Sequence, residues 1–439
     1  MRLRSWGMRV VLTTLVILSI VFTWQIWQNP SRLGRTEAPV TVAVQKDPNV
    51  AKQESTVFLP RNALFVDKHQ KWQLLLADTS VVASLHDVLQ QGKIDTLLPR
   101  RKLNHTEFQS LLTSNTSLQL VYPDMINRRL FMRTFFNRKT VAKPDFHFNR
   151  LIVHLADGPM TVELVNDQTR QVVSAKLRNV TLSKLKAKIA AGQAHALPVV
   201  ERRVNEHMVV HYPRAISVQP YSLLVDDQSA NHYVSQLMPP QEASTVDVRE
   251  IGGDTIYTAG SRYRITAAGD SEVMRFDDTG QGSVDLSLNQ LLTRAYASLG
   301  QLGLQGLYMM RYIGIDQTGQ VNFQANVRGL PVVHENNNGL VQVALTASGR
   351  QITFATTNLT VPIPTDQAKV TLPPTDEVLD KLTQAGYSRD DIEEVVLGYD
   401  WPDQDQTSQV VTLQPTYLVA INGRYRAYNE WLAAKQTNN

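Results

Sequence analysis

Several residues of this chain have the chemistry for metal binding, but their spacing does not assemble a metal site. His207 and His211 lie four residues apart, and on a helix that spacing brings two imidazoles to one ion. Their surroundings have the pattern of a β-strand, which would separate the two residues by about 13 Å. Asp400, Asp403 and Asp405 offer oxygen ligands for calcium but lack the glycine and the final glutamate of an EF-hand loop. We therefore predict an acidic loop here and no metal ligands.

Catalytic motifs are also incomplete. Ser183 and Lys186 fit the Ser-x-x-Lys motif of penicillin-interacting enzymes, but the accompanying Ser-Asp-Asn and Lys-Thr-Gly elements are missing. We interpret the lysines around this motif as the solvent-facing side of a short helix. Gly280 and Gly282 lack the third glycine and the strand context of a dinucleotide site. Since the chain also contains no cysteine, we predict no catalytic residue, no cofactor and no enzymatic activity.

The N-terminal segment carries the clearest structural information. Arg2, Arg4 and Arg9 precede an uncharged run from Val10 to Ser31. The apolar part of this run, residues 10–27, would span about 27 Å as a helix, close to the hydrocarbon thickness of a bilayer. The remainder of the chain has the composition of a water-soluble protein, so we expect a globular ectodomain attached to one membrane helix.

The ends of the apolar run support an uncleaved, single-pass anchor over residues 10–28. Trp6 lies at one edge and Trp24 and Trp27 lie at the other, as aromatic rings do at the headgroup level. A cleaved signal peptide would end in small residues, and a buried core helix is the second alternative. Because the leading arginines favour the cytoplasm, the N-terminus is expected inside and the ectodomain outside the cell membrane.

Composition narrows the class of protein further. A length of 439 residues exceeds one ordinary hydrophobic core. An exported chain without cysteine indicates an organism that does not rely on extracellular disulfides, and we predict a Gram-positive bacterium. The net charge of +4 is small for this length, so no binding to nucleic acid is expected.

One early region is more basic than the rest of the chain. Between Pro99 and Arg150 there are ten basic and three acidic side chains. Such a region suits anionic cell-wall polymer, lipid headgroups or an acidic partner, whereas solvated helix faces are the plainer alternative. The candidate contacts with an anionic surface are Arg100, Arg101, Lys102, Arg128 and Arg129.

Local patterns predict an α+β fold in which helices pack on antiparallel sheets. Ser80 to Gln91 has a helical apolar face, Asn104 is a candidate N-cap, and Asn422-Gly423 is a strong hairpin signal. The last two domains share an order of helix then strands, and a structural duplication is one interpretation. The predicted segments are a cytoplasmic tail 1–9, the anchor 10–28, a linker 29–55, an N-terminal ectodomain 56–205, a middle domain 206–285 and a C-terminal domain 286–432.

Six segments of the sequence resemble the YycH family. Leu18 to Trp27 resembles the end of the family's N-terminal anchor. Tyr417 and Ala259 depart from the family, which often has tryptophan and aspartate there. The five further segments, which fall in the family's order, are Ile256–Tyr263, Val327–Val333, Leu372–Leu379, Val396–Tyr399 and Val411–Val419.

The resemblance implies a regulator. YycH proteins are accessory membrane proteins of the WalK/WalR (YycG/YycF) two-component system, which controls cell-wall homeostasis in low-GC Gram-positive bacteria. The partners it implies are a WalK-type histidine kinase and a YycI-type membrane protein, contacted partly through membrane helices. It also implies a three-domain ectodomain whose later domains resemble YycI. The sign of regulation differs between species and does not transfer.

The anchor itself offers groups for helix association. Leu12, Ser19 and Thr23 fall near one helix face, and helices associate in lipid through close packing and hydrogen bonds. The alternative is that the hydroxyls bond to carbonyls of their own helix. The expected partners are thus the kinase, the YycI-type protein and the lipid bilayer, and homo-oligomerisation stays open. The rival functions are a cell-wall-associated enzyme and a binder of anionic cell-wall polymer.

Overall fold

The computed structural model describes residues 54–436, except for 78–79, 96, 139–145, 158, 205–206, 244–245, 270–271, 281, 283–284, 305, 316–317, 365 and 403–408. The predicted tail 1–9, the anchor 10–28 and nearly all of the linker 29–55 lie outside these residues. Within the described part, no helix has both the length and the apolarity needed to cross a membrane. Residues Asn49–Asn439 form one compact unit.

The N-terminal half is built on a ten-stranded antiparallel sheet with the spatial order β10-β9-β2-β1-β5-β6-β7-β8-β3, and β4 also pairs with β8. Its long central strands are buried along most of their length, so both faces of the sheet are largely covered there. The strands are β1 Asn62–Val66, β2 Trp72–Leu74, β3 Lys93–Ile94, β4 Arg101–Lys102, β5 Ser117–Asn127, β6 His147–His154, β7 Met160–Asn166, β8 Gln171–Arg178, β9 Leu197–Val204 and β10 His207–His211.

Helix boundaries in this half follow the caps in the sequence. The predicted helix after Ser80 spans Val81–Leu89, and the Ser80 side chain accepts a hydrogen bond from the Ala83 amide. The helix His105–Leu112 begins with a complete capping box, in which Asn104 and Glu107 bond to each other's backbone amides. The helix Leu182–Gln193 packs against Val81–Leu89. The helix prediction for Ser80 to Gln91 and the N-cap prediction for Asn104 are confirmed.

One helix was not expected from the sequence pattern. Arg128–Phe136 is helical, and it ends at Asn137 with a left-handed φ of 51°, a conformation that asparagine tolerates better than most residues. Phe131 is fully buried, and its ring packs edge-on against Phe148 with centroids 5.1 Å apart. This aromatic packing anchors the helix to the sheet.

The C-terminal half contains a fourteen-stranded sheet with the order β13-β14-β15-β16-β21-β20-β18-β19-β24-β25-β12-β22, to which β17 and β26 add through β18 and β25. Every pair is antiparallel except β19 with β24. The strands are β12 Tyr221–Asp227, β13 Asp247–Ile251, β14 Asp254–Ala259, β15 Tyr263–Ala267, β16 Val273–Asp278, β17 Leu307–Ile315, β18 Thr318–Val327, β19 Leu330–Val333, β20 Leu340–Thr346, β21 Gly349–Ala355, β22 Thr357–Ile363, β24 Ile392–Asp400, β25 Val410–Ile421 and β26 Arg424–Ala427.

Helices and short strands complete this half. A separate two-stranded ribbon joins β11, Ile216–Val218, to β23, Val370–Leu372. Asn422 and Gly423 both adopt positive φ in the turn between β25 and β26, so the predicted hairpin is confirmed. The helices are Ala230–Leu237, Pro240–Ala243, Leu288–Gly300, Thr375–Gln384 and Tyr428–Gln436, with one 3-10 turn at Arg389–Asp391.

One large hydrophobic core runs through both halves. Phe58, just before β1, packs against Tyr296 and Phe323 of the C-terminal half, with ring centroids 6.1 and 6.4 Å apart. The α+β class with antiparallel sheets is confirmed. Strands from the predicted segments 206–285 and 286–432 pair within the same sheet, for example β16 with β21, and the domain boundaries themselves stay predictions.

Candidate functional site: a charged cleft between the two sheets

A small cleft lies where the N-terminal sheet meets the C-terminal sheet. It is lined by residues of β1, β5, β9 and β10 on one side and of β24 and β26 on the other, and it holds about 50 Å³ of space. Since a site needs about 10–15 Å³ of such space to hold one water molecule, this volume suits a few waters. The cleft is therefore better described as a joint than as a substrate pocket.

An ion pair connects the two sides of the cleft. Arg61, directly before β1, donates two hydrogen bonds from its guanidinium to the Glu394 carboxylate on β24. The Tyr425 hydroxyl on β26 donates to Glu394 Oε2 at 2.6 Å. The Arg61 and Glu394 side chains are only 11% and 16% exposed, so solvent screens this pair weakly. We call Arg61, Glu394 and Tyr425 the latch.

The latch residues are held by regular structure. The Arg61 amide donates to the Val121 carbonyl at 2.8 Å, which fixes the start of β1 against β5. Burial lowers the pKa of Arg61, but the Glu394 carboxylate and Tyr425 more than offset this effect and leave the pKa above its ordinary value. Arg61 is therefore a permanent cation whose charge is neutralised across the joint.

A second charged cluster lies inside the N-terminal sheet. Arg150 on β6 is fully buried and binds Asp167 through Nε and Nη2 at 2.9–3.1 Å. The same guanidinium donates to Gln119 Oε1 and to Glu201 Oε1, both at 2.8 Å. Arg150 thus joins β5, β6, the turn after β7 and β9, and we call these four residues the Arg150 cluster.

Polar atoms without a partner link the Arg150 cluster to the cleft. Glu201 Oε2 and the Tyr122 hydroxyl are buried and have no hydrogen-bond partner among the described residues, and both residues line the cleft. Burial raises the pKa of Glu201 against the opposing effect of Arg150, and burial raises the pKa of Tyr122. Buried polar atoms normally bond to protein or ordered water, so the cleft is a polar joint suited to hydration.

This arrangement supports mechanical coupling of the two sheets. Most carboxylates that line the cleft are already engaged. Glu394 pairs with Arg61 and Glu201 pairs with Arg150, while Glu393 accepts from the Gly423 amide and Asp124 from the Met125 amide. In the described part of the chain, no group of three or more His, Asp or Glu side chains is placed to hold a metal ion. A buried ion pair across two packed sheets fixes their relative position.

The five residues predicted to contact an anionic surface lie on different elements of the structure. Arg100, Arg101 and Lys102 are exposed on and beside the short strand β4. Arg129 is exposed at the start of a different element, the helix Arg128–Phe136, whereas Arg128 is only 7% exposed. Burial removes the Arg128 side chain from any surface contact. The remaining anionic-surface contact stays a prediction.

The structure describes some of the other residues named in the sequence analysis. His207 and His211 are the two ends of strand β10, as expected from the alternating pattern. The helix Leu182–Gln193 carries Ser183 and Lys186, both exposed, in agreement with a solvent-facing helix side. The orientation residues Arg2, Arg4, Arg9, Trp6, Trp24 and Trp27 and the helix-contact residues Leu12, Ser19 and Thr23 lie outside the described residues.

Sequence reasoning did not identify the latch or the Arg150 cluster. Arg61 and Glu394 are 333 residues apart in the chain, and no local pattern pairs them. The position of Arg150 could have been identified from the sequence, because it alternates along the strand with the apolar residues Phe148 and Ile152. A charge in the phase of buried residues indicates a buried ion pair.

The Glu430 carboxyl group, in the helix that follows β26, makes the stability of the fold depend on pH. Burial, followed by the charges of Asp400 and Glu335, raises the pKa of Glu430 to about 7. Between pH 4.5 and 7 the folded chain therefore binds more protons than the unfolded chain, and stability falls as pH rises through this window. In the wild type we expect the free energy of unfolding to fall by about 1 kcal/mol between pH 5 and 8, a small value because solvent screens this half-exposed group. Glu430→Gln should remove this fall.

Urea denaturation at several pH values measures this effect, and Glu250→Gln on the exposed strand β13 is the matched control. The control should keep the wild-type slope of unfolding free energy against pH. An unchanged slope in Glu430→Gln would show that another group titrates.

Comparisons with known proteins agree with the fold and with the sequence resemblance. The family models of the YycH protein N-terminal domain and C-terminal domain match residues 8–194 and 213–436. The crystal structure of YycH from Bacillus subtilis is similar with a TM-score of 0.68 and 14% identity, over 85% of this chain and 96% of that chain. No curated protein matches the chain. Because the two family models match nearly its whole length in order, the chain belongs to the YycH family.

Proposed function

We propose that this chain is a non-catalytic, membrane-anchored regulator of a WalK-type sensor histidine kinase that controls cell-wall homeostasis. In this proposal residues 10–28 cross the cell membrane once, with the N-terminus in the cytoplasm and the ectodomain outside. The chain acts together with a YycI-type protein through membrane-helix and ectodomain contacts.

Family membership is the observation that carries the proposal. The YycH family is one of regulatory accessory proteins, and membership implies regulation of the YycG/WalK system and association with its histidine kinase. The N-terminal family match begins at residue 8, so it includes the apolar run with the length and flanking charges of a membrane anchor.

The packing of the described residues supports regulation through a rigid ectodomain. Besides the latch, Arg133 on the N-terminal half bonds to Thr293 Oγ1 at 3.1 Å, and Arg328 donates to the Ala77 carbonyl at 3.0 Å. These contacts and the shared core make the two halves one rigid body. A partner that binds and moves one half therefore moves the other half with it. Regulation then requires that this body binds one kinase conformation more tightly than another.

Replacement of the anchor tests the membrane part of the proposal. Residues 10–27 are exchanged for an unrelated apolar helix of equal length, with Arg2, Arg4 and Arg9 kept. We expect kinase output, measured as phosphorylated response regulator, to fall to the level of a strain that lacks the protein, because helix docking needs specific packing.

A second replacement is the matched control. It keeps Leu12, Ser19 and Thr23 and exchanges the other anchor residues for apolar ones, and it should retain kinase output. Membrane fractionation must show equal amounts of both variants. Wild-type output from the fully exchanged helix at equal membrane level would refute helix docking, and release of the wild-type protein into the culture medium would refute anchoring.

A further inference from the structure

Strand β18 places a row of carboxamides on one face of the C-terminal sheet. Its sequence alternates strictly, with Val321 and Phe323 fully buried and Gln320, Asn322 and Gln324 on the opposite face. The neighbouring strand β20 pairs Gln342 directly opposite Asn322. Side chains on one face of a strand pair lie within contact distance, so these amides form one continuous patch.

The hairpin β25–β26 turns this patch into a groove. Gly423, Arg424, Tyr425 and Arg426 line it, and the segment after β19, including His334, closes another side. The groove holds about 290 Å³, several times the volume of the cleft. Tyr425 lines both spaces, and its hydroxyl belongs to the latch.

The lining has hydrogen-bonding capacity that the described residues leave unused. Asn322 Oδ1 accepts from Gln320 at 2.8 Å, which leaves the Asn322 amide nitrogen without a partner in the described chain. Gln324 donates to the Val332 carbonyl, which leaves its side-chain oxygen as an acceptor. The Gln342 side chain forms no hydrogen bond within the described ranges. Carboxamides each offer donors and an acceptor, so the floor of the groove can bond to a ligand that presents both.

The groove presents one guanidinium that is available to a ligand. Arg424 is exposed, and its guanidinium makes no ion pair with a described carboxylate. Arg426 lies over the Trp431 ring at 5.3 Å and close to Glu430, so its position is fixed by the protein. Glu335 lines the groove and Glu430 lies close to Arg426, so Arg424 is the guanidinium that remains for a ligand. Arginine suits a ligand carboxylate because its planar fork can bind both oxygens.

The backbone geometry argues against an extended peptide as the ligand. Between residues 319 and 324, β18 is paired on both edges, with β17 and with β20. A peptide therefore cannot add as a further strand at this point, and recognition must come from side chains. Rows of amides beside an aromatic ring and a guanidinium match the hydroxyl groups and the carboxylate of an acidic sugar.

We propose that this groove binds an acidic carbohydrate, with its hydroxyl groups on Asn322, Gln324 and Gln342 and its carboxylate on Arg424. This site is separate from the proposed regulation of the kinase. A negative binding result leaves that regulation untouched, and a failure of the anchor test leaves the groove untouched.

Calorimetric titration of the purified full-length protein tests the site with defined probes. Digalacturonic acid is compared with maltose, a neutral disaccharide, and with a short acidic peptide. We expect digalacturonic acid to bind about tenfold more tightly than maltose, because its carboxylate adds a charge-assisted hydrogen bond to Arg424.

Three variants assign the contacts. Arg424→Gln should reduce the affinity for digalacturonic acid about tenfold and leave that for maltose unchanged. Gln342→Leu keeps the side-chain size, removes the amide and should weaken both sugars. Arg264→Gln changes an exposed arginine on β15 outside the groove and should change neither.

Three results would overturn the proposal. The first is the absence of sugar binding by a folded protein at millimolar concentration. The second is equal affinity for the charged and neutral sugars, and the third is tighter binding of the peptide. Circular dichroism of each variant confirms that a lost affinity is not a lost fold.

Discussion

Replacing Arg150 by methionine is expected to lower the free energy of unfolding by about 3–5 kcal/mol, because it leaves two buried carboxylates without their cation. Asp167 and Glu201 are 1% and 2% exposed beside a fully buried guanidinium. Methionine fills much of the arginine volume, so the loss measures electrostatics and hydrogen bonds more than a cavity. Guanidinium chloride denaturation followed by circular dichroism measures the change.

Two further variants make this expectation specific. Arg101→Met alters an arginine that is 62% exposed and should change stability by less than about 0.5 kcal/mol. Arg150→Met combined with Asp167→Asn and Glu201→Gln removes the uncompensated charges and should regain part of the loss. A loss below about 1 kcal/mol in the single variant would contradict the Arg150 cluster as a tightly bound unit.

Local signals in the sequence predicted elements whose determinants are themselves local. The capping box at Asn104 and the Asn422-Gly423 turn each depend on residues within three positions of one another, and the backbone follows them. Family resemblance extended this to the C-terminal half, where five of its six segments lie. The α+β class and the antiparallel sheets can therefore be predicted from the sequence.

Features that depend on residues far apart in the chain could not be predicted from local sequence patterns. The helix Arg128–Phe136 carries three charged residues and a phenylalanine cluster, and its burial depends on Phe148 in a strand that follows it. The pairing of β12 with β25 joins residues about 190 positions apart, as in Ser222 and Thr412, which no local periodicity indicates. The candidate cleft depends on such pairings, so it appears only in three dimensions.

The latch is expected to give a coupling free energy of about 2 kcal/mol in a double-mutant cycle of Arg61→Met and Glu394→Gln. Both side chains are largely buried, and their charges lie across the joint between the two sheets. Arg61→Met alone should cost about 3 kcal/mol, since it leaves the Glu394 carboxylate with only the Tyr425 hydroxyl. Denaturation curves of the wild type, both single variants and the double variant give the four free energies.

The structure supplies a matched control for this cycle. Arg202 and Asp376 also bridge the two halves at 2.8 Å, but their side chains are 52% and 50% exposed. Exposed pairs contribute less than about 1 kcal/mol, so the cycle of Arg202→Met and Asp376→Asn should show weak coupling. Similar coupling in the two cycles would contradict the special role of burial at the latch.

The same variants connect the joint to regulation. If the two halves act as one body on the kinase, Arg61→Met should change kinase output at a temperature where it is folded, whereas Arg202→Met should not. The reason is that only the buried pair fixes the relative position of the sheets strongly enough to bias two kinase conformations. If Arg61→Met lowers the free energy of unfolding but leaves the effect on the kinase unchanged, the latch is not part of the regulatory mechanism.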